Sequence, residues 1–312
     1  MSGSTFALRR LAVAMCCCSA SAVSLAAENG VTNWPLGVNT VIPALLPPPG
    51  ATELYSYTVF YSADELRDNS GDKVPVDFEV DAFAQALRVV HTWNLQTDSG
   101  VKFSTGAILS GGHTSAELEP APGVHLDDSE TGFNQLYFTP LYLTWSPTPE
   151  LHLLTGFSAF IPLGNYDRHS LANTTSNYAS YVQEFGLTWL PSPAWEFSVS
   201  PTLSFNAENE DSDYQSGHLF NVDFNAGYRL PSSPNWQVGL AGHYTKQFSD
   251  DQIDGHDVEG GNRLSKLAIG PQAVYYFNPA TAVVFKWLNE TEVKNGARGN
   301  SLWFEFAVPL DI

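Results

Sequence analysis

Three residues close together in the sequence, Ser104, Ser110 and His113, have the side-chain types of a hydrolytic nucleophile and its base. A serine hydroxyl attacks a carbonyl only when a base removes its proton. The motif G-x-S-x-G, which presents such a serine on a tight turn, does not occur in the chain, and a further candidate base, His243, lies far away in the sequence. We therefore expect no enzymatic activity, with a lipid-modifying enzyme, embedded in the fold predicted below, as one alternative function.

A second pattern, the acidic stretch DDQIDGHDVE at 250–259, has side chains that could bind a metal ion. Carboxylate oxygens are the ligands that Ca²⁺ prefers, but the spacing is not that of an EF-hand. The eight histidines are dispersed, and neither H-E-x-x-H nor C-x-x-C occurs, so a zinc site is not indicated. We expect no cofactor and no metal. The weak calcium candidates are Asp251, Asp254, Asp257 and Glu259.

The N-terminus predicts export. Two arginines, Arg9 and Arg10, precede an apolar run that ends in small residues, which is the pattern of a secretory signal peptide over residues 1–26. A lipoprotein cysteine at 16–18 is an alternative, although no lipobox precedes it. Removing the leader removes all three cysteines, so no disulfide framework is expected. The formal net charge of −19 argues against a nucleic-acid partner.

Period-two alternation of apolar and polar residues recurs through the rest of the chain. In the clearest segment, Trp195, Phe197 and Val199 alternate with Glu196 and Ser198. Segments of this length predict tilted strands that span a membrane. Long polar connections, such as those at 63–82 and 112–134, alternate with short proline-rich ones. The pattern predicts an all-β fold, a transmembrane antiparallel up-and-down β-barrel of about twelve strands over 53–312, with ten or fourteen as alternatives.

Two further patterns support the barrel. The last residues, 300–312, alternate to the end of the chain, as a strand does that pairs with the first strand and closes a barrel. Five tryptophans fall near the short connections, on the apolar face of their strands. Such a set predicts a periplasmic aromatic girdle at the lipid headgroups, made of Trp93, Trp145, Trp189, Trp195 and Trp236.

Several stretches resemble a known outer-membrane family that is linked to the meta-cleavage pathway of phenol degradation. They are ENGVTNWPLGVNTVIPALLPPPGATELYSYTVFYSAD, the segment Arg88–Trp93, GGNRLSKLAIGPQAVYYF and NGARGNSLWFEFAVPL. The resemblance implies a β-barrel that passes aromatic or other hydrophobic compounds across the outer membrane. It implies no particular binding residues.

The polar face of the strands predicts which side chains point into the barrel. Charges there avoid the cost of lipid exposure, and they either pair with one another or form a constriction that selects a solute. Inward aromatic residues favour a conduit for apolar rings. The predicted lumenal residues are Phe60, Arg88, Lys102, Phe138, Tyr142, Phe160, Tyr178, Glu184, Glu196, Asp223, Lys266, Lys286, Trp303 and Glu305.

The stretch NWPLGVNTVIPALLPPPG at 33–50 is apolar and rich in proline, which suits neither a helix nor a central strand. Irregular backbone at membrane depth is tolerated only where it lines a protein interior or a cavity. We expect residues 27–52 to be a lumenal or periplasmic segment, either tucked into the barrel as a plug or lying on its rim. The plug would use Trp34, Leu36, Val41, Ile42, Leu45 and Leu46.

The function predicted from the sequence is an outer-membrane, porin-like channel or uptake barrel for small hydrophobic, aromatic or phenol-like compounds. A structural or adhesive barrel is a further alternative. The expected partners are outer-membrane lipid and lipopolysaccharide, the barrel-assembly machinery and a small hydrophobic solute, with no nucleic acid.

Overall fold

A computed structural model describes residues 30, 32–95 and 97–310. It contains fifteen strands: β1 (Thr52–Arg67), β2 (Asp77–Thr92), β3 (Lys102–Ala121), β4 (Val124–Thr148), β5 (Leu151–Pro162), β6 (Ser180–Ser192), β7 (Trp195–Asn206), β8 (Tyr214–Gln215), β9 (Leu219–Arg229), β10 (Trp236–Gln247), β11 (Gln252–Ile253), β12 (His256–Asp257), β13 (Ser265–Asn278), β14 (Thr281–Lys294) and β15 (Gly296–Leu310). No helix among these residues is long and apolar enough to cross a membrane.

Twelve of the strands form a closed antiparallel barrel in which each strand pairs with its neighbours along the chain. β15 pairs with β1, from Thr52 opposite Leu310 to Arg67 opposite Gly296. The sequence predictions of an all-β barrel, of twelve strands and of closure by the last strand are confirmed. The closure satisfies the backbone groups of both edge strands, as a lipid environment requires.

The remaining three strands form a small sheet in the order β12–β11–β8. It joins the connection after β7 to the connection after β10. Both lie at the end of the barrel that carries the long connections, which is the extracellular end in membrane barrels.

Two of the predicted long loops are shorter than the sequence indicated. β1 and β2 extend through most of 63–82 and leave only 68–76 as a connection, and β3 and β4 continue as a hairpin through 112–134. The residues there are polar because these strands project beyond the apolar belt, where both faces meet water. The polar composition of 63–82 and 112–134 reflects exposure to water. The prediction that these stretches are long irregular loops was wrong.

The five girdle tryptophans lie at the end of the barrel with the short turns. Trp189 and Trp195 flank one turn, where both rings contact Phe197, and Trp236 packs against Tyr275. Trp93 directly follows β2, and Trp145 lies near the end of β4. Four of the five are exposed, and Trp145 is partly exposed.

The segment 32–51, which we call the plug, lies inside the barrel. It starts beside Tyr178 and Ser180, where Asn33 donates hydrogen bonds to the carbonyl of the former and the hydroxyl of the latter. It ends at the rim with the short turns, where the Thr92 amide bonds to the Ala51 carbonyl. The plug therefore runs along the length of the lumen.

Candidate functional site: a plugged lumen with two cavities

Two carboxylates of the barrel wall hold the irregular backbone of the plug. Asp223 on β9 accepts hydrogen bonds from the amides of Gly37 and Asn39, both at 2.9 Å. Glu196 on β7 accepts one from the Ile42 amide, also at 2.9 Å. A plug without regular structure has backbone N–H groups that need partners, and these buried carboxylates supply them.

Two residues of the plug have positive φ angles. Gly37 has a φ of 86°, which suits glycine, and a β-carbon there would lie 2.6 Å from Leu288. Ile42 has a φ of 37°, a conformation that costs a β-branched residue free energy. Its amide is the one that Glu196 binds. The wall therefore holds the plug in a strained conformation.

A lysine fixes the middle of the plug to another strand of the same part of the wall. Lys286 on β14 donates to the Val38 carbonyl at 3.2 Å and to the Thr40 hydroxyl at 3.0 Å, and it forms an ion pair with Glu305. Thr40 in turn donates to Gln272 at 2.6 Å. Lys286 is 2% exposed, so its charge depends on these partners.

The outer part of the plug is also held by apolar packing. The Trp34 ring lies edge-on to Tyr137 and Phe160, with centroid distances of 6.0 and 6.2 Å. Val38 belongs to the same buried cluster, and Leu36 packs against it. This cluster buries the apolar side chains of the outer plug against the wall.

The polar contacts of Gly37–Ala44 go to β6, β7, β9, β13 and β14, and space remains between the plug and the wall of β1–β4. One cavity of about 200 Å³ lies toward the extracellular end. Its lining includes Val59, Ala86, Ile108, Tyr137 and Phe160. The walls are apolar and aromatic, which suits a solute of the same character.

A second cavity, of about 260 Å³, lies toward the end with the short turns. Plug residues Val41, Ile42, Leu45 and Leu46 line it, together with Tyr55 of β1. Four wall residues border both cavities, as do Val38 and Asn39 of the plug. We call the four the eyelet: Tyr57, Arg88, Tyr142 and Glu184.

Hydrogen bonds hold the eyelet in place. Arg88 donates to the Tyr57 hydroxyl at 3.4 Å and to the Tyr142 hydroxyl at 3.1 Å. Glu184 accepts from Tyr142 at 3.1 Å and from Ser158 at 2.7 Å, and also from Tyr137. The Tyr142 hydroxyl thus lies between a guanidinium and a carboxylate.

The structure places most of the predicted lumenal residues on the inner face. Lys266 pairs with Glu290 at 2.9 Å, so the interior charges both form ion pairs and hold the plug. Lys102 shares its face with the buried Ser104 and lies opposite Thr144. The inner or buried members of the predicted set are Arg88, Lys102, Tyr142, Phe160, Tyr178, Glu184, Glu196, Asp223, Lys266, Lys286, Trp303 and Glu305.

Phe138 is not lumenal, because a bulge changes the alternation of β4. The pairing of β4 with β5 shifts between Phe138 and Leu141, so the inward side chains are Tyr137, Thr139 and then Tyr142. Phe138 lies on the outer face and is 42% exposed. One extra residue in a strand reverses which residues point inward beyond it.

Phe60 also lies on the outer face, where its ring contacts Phe83 and Phe304 at 5.2 and 6.4 Å. The sequence prediction took the polar residues of β1 as lumenal. Instead Ser56 and Thr58 face outward and hydrogen bond to Gln85. Apolar residues of β1 turn inward because the plug they meet is itself apolar.

Sequence reasoning missed the inward residues Tyr55, Tyr57, Val59 and Tyr137, which line the two cavities. The tyrosines and Val59 of β1 alternate at odd positions, a signal that could have found three of them. Tyr137 lies just before a bulge that contains Pro140, and a proline inside a strand is a signal of a bulge that could have found it.

The calcium candidates do not form a metal site: the described residues contain no cluster of His, Cys, Asp and Glu side chains that could hold an ion. Asp251 is buried and accepts hydrogen bonds from the Gly217 amide, Gln247, Asn262 and Tyr214. These donors occupy its oxygens. Asp254, Asp257 and Glu259 lie in the connection above it.

The serines and histidines considered for catalysis do not contact one another, and each has its own partners or surroundings. Ser104 bonds to Thr92, and Ser110 donates to the Gln135 carbonyl. His113 is exposed and bonds to Thr131, while His243 is buried on β10. No hydrogen bond between a serine and a histidine of this set is present in the described part of the chain.

A closed antiparallel barrel with an apolar outer face, short turns at one end and an internal plug defines an outer-membrane β-barrel. Residues 63–306 match the family described as "Putative MetA-pathway of phenol degradation", and the chain belongs to this family. No curated protein sequence matches the chain significantly.

The barrel is similar to the COG4313 outer membrane channel from Pseudomonas putida F1, with a TM-score of 0.73, 18% identity and coverage of 85% of this chain and 97% of that one. This likeness concerns the fold. The β domain of the Bordetella autotransporter BrkA gives a TM-score of 0.48 at 12% identity, covering 83% of this chain and 99% of that one. The NalP translocator domain from Neisseria meningitidis gives 0.45 at 9%, covering 84% and 89%.

Proposed function

We propose that the protein is a passive outer-membrane channel for small hydrophobic, aromatic compounds. Solutes pass between the plug and the wall of β1–β4, through the eyelet, driven by their concentration difference and by consumption inside the cell. The channel does no chemistry and uses no cofactor. The leader 1–26, which lies outside the described residues, is proposed to be cleaved on export, and mass measurement of the protein from outer membranes tests this.

The observation that carries the proposal is the pair of largely apolar cavities on either side of the eyelet. A general pore for polar solutes gains nothing from walls of Val59, Ile108, Tyr137 and Phe160. An apolar cavity of about 150 Å³ is enough to bind benzene, and the outer cavity measures about 200 Å³. One substituted ring therefore fits on each side of the eyelet.

The test is solute flux into vesicles that have a lipopolysaccharide outer leaflet. We expect vesicles with the protein to take up a small aromatic solute faster than protein-free vesicles and to admit small sugars poorly. Deletion of residues 33–50 should raise the flux of both solutes, since the plug fills the lumen. Phe157→Ala, which removes an exposed aromatic ring from the outer face, is the matched control and should leave both fluxes unchanged.

Equal aromatic flux with and without the protein would overturn the proposal. Rapid sugar entry through the intact protein would replace the aromatic path with a general pore. A deletion variant that shows heat-modifiable migration on a detergent gel, but no gain in flux, would show that the plug does not limit passage.

A further inference from the structure

We propose that the eyelet recognises a hydroxyl group, and that Arg88 and Glu184 select neutral hydroxylated aromatic solutes over hydrocarbons and over aromatic carboxylates. This inference rests on the proposed function and adds the chemical class of the solute and the residues that distinguish it.

Arg88 has unused donors at the eyelet. Its guanidinium has five N–H groups, and two hydrogen bonds go to the hydroxyls of Tyr57 and Tyr142. Among the described residues no carboxylate forms an ion pair with it, although its side chain is only 9% exposed. It borders both cavities, so the remaining N–H groups are available to a solute there.

Glu184 has an unused acceptor at the same place. The donors Tyr137, Tyr142 and Ser158 all bind its Oε1 atom. Within the part of the chain that the structure describes, no group donates to Oε2. Glu184 also borders both cavities, and neither residue has a fully enclosed polar atom without a partner. The free oxygen therefore faces cavity space.

The protein contains an example of the proposed interaction. The Tyr142 hydroxyl accepts a hydrogen bond from Arg88 and donates one to Glu184, both at 3.1 Å. A phenolic hydroxyl can do both at once, because it is both a donor and an acceptor. A solute phenol in either cavity can form a second bridge with the unused N–H groups and Oε2.

The charges of the eyelet also explain what it excludes. A carboxylate would bind Arg88 but meet Glu184, and it would have to pass extracellular connections that carry many acidic residues, such as ENEDSD at 208–213. A hydrocarbon would displace water from Arg88 and Glu184 and could not form hydrogen bonds with either residue. Sites built to bond a hydroxyl discriminate strongly against analogues that lack it.

The test is equilibrium binding by calorimetry to the folded protein in detergent, with phenol, anisole, toluene and benzoate. Anisole keeps the oxygen acceptor of phenol but lacks the donor. We expect affinity to fall from phenol to anisole to toluene, by about tenfold for each lost charge-assisted hydrogen bond, with benzoate weaker than phenol. This comparison needs no variant.

Variants then assign the selectivity. Arg88→Met and Glu184→Gln should each weaken phenol binding about tenfold and leave toluene binding unchanged, and Glu184→Gln should strengthen benzoate binding. Thr202→Val, on the inner face of β7 and outside both cavities, is the matched control and should not change phenol affinity. Heat-modifiable migration identifies variants that have folded.

Equal affinity for phenol and toluene would overturn the inference, as would benzoate binding more tightly than phenol. Either result would leave the channel intact as long as the aromatic flux into vesicles persists. Loss of that flux in the unmodified protein would instead contradict the proposed function, whatever the order of affinities.

Discussion

The ring of Tyr142 on β4 lies directly against Gly156 on β5. A β-carbon at Gly156 would lie 2.4 Å from a ring carbon, closer than carbon atoms approach, and Gly106 on the other side leaves only 3.3 Å. Because neither glycine has a side chain, the Tyr142 ring lies close against the wall at both positions. This close packing determines how far the Tyr142 hydroxyl extends toward Arg88 and Glu184.

Gly156→Ala should displace Tyr142 and disturb the eyelet, because the new methyl group occupies the position of the ring. We expect altered aromatic flux, and overpacking that destabilises the barrel by about 1–3 kcal/mol. Flux into vesicles and thermal unfolding in detergent measure the two effects. Gly132→Ala, on β4 where a β-carbon would meet only the Thr174 side chain at 3.7 Å, is a control for the added methyl group. Unchanged flux in Gly156→Ala would show that Tyr142 does not limit passage.

Asp223→Asn should loosen the plug, since the neutral amide is a weaker acceptor for the amides of Gly37 and Asn39 and accepts at only one of its two positions. Hydrogen bonds to charged groups are worth about 1.5–3 kcal/mol each. The expected result is a higher flux of small sugars and faster hydrogen exchange in residues 32–51. Asp98→Asn removes a carboxylate from an exposed turn and should have neither effect.

Lys286→Met should destabilise the protein strongly, because it leaves Glu305 buried without its cation and removes both contacts to the plug. Breaking one side of a buried ion pair costs about 3–5 kcal/mol. The double variant Lys286→Met/Glu305→Gln should recover part of this loss, as measured by thermal unfolding. An additive double variant would show that the two side chains are not coupled.

Asp251→Ala should release the extracellular sheet formed by β8, β11 and β12, since four donors lose a common acceptor. We expect proteases to cleave within 208–216 or 250–262 while the barrel keeps its thermal stability. A calcium chelator should leave the unmodified protein resistant, because hydrogen bonds rather than an ion fix Asp251. Cleavage that appears only after chelation would restore the calcium hypothesis.

The barrel could be predicted because its signals are local and repeated. Period-two alternation, together with the alternation of long and short connections, identified twelve strands, and the alternation of 300–312 identified the strand that pairs with β1. Which individual side chains point into the lumen could be predicted less well than the strands themselves. The bulge after Phe138 contains Pro140, which signals a bulge but does not say which neighbouring side chains point inward. The outward Ser56 and Thr58 both hydrogen bond to Gln85 on the next strand, and no local pattern relates these residues.

The plug could be anticipated from its prolines and apolar residues, which have no place in lipid or in a central strand. Its partners could not. The bond between Gly37 and Asp223 joins positions 186 apart, and no local pattern relates them. The eyelet is of the same kind: Arg88 and Glu184 come from different strands, and only the closed barrel brings them to one level of the lumen.

The position of the plug before β1 in the chain constrains the order of folding. Asp223 and Lys286 are on strands late in the sequence, and the seam closes only when β15 reaches β1. Contacts so distant along the chain form slowly because their loop-closure entropy must be overcome first. We therefore expect the plug to dock late in folding, after the strands that hold it have formed.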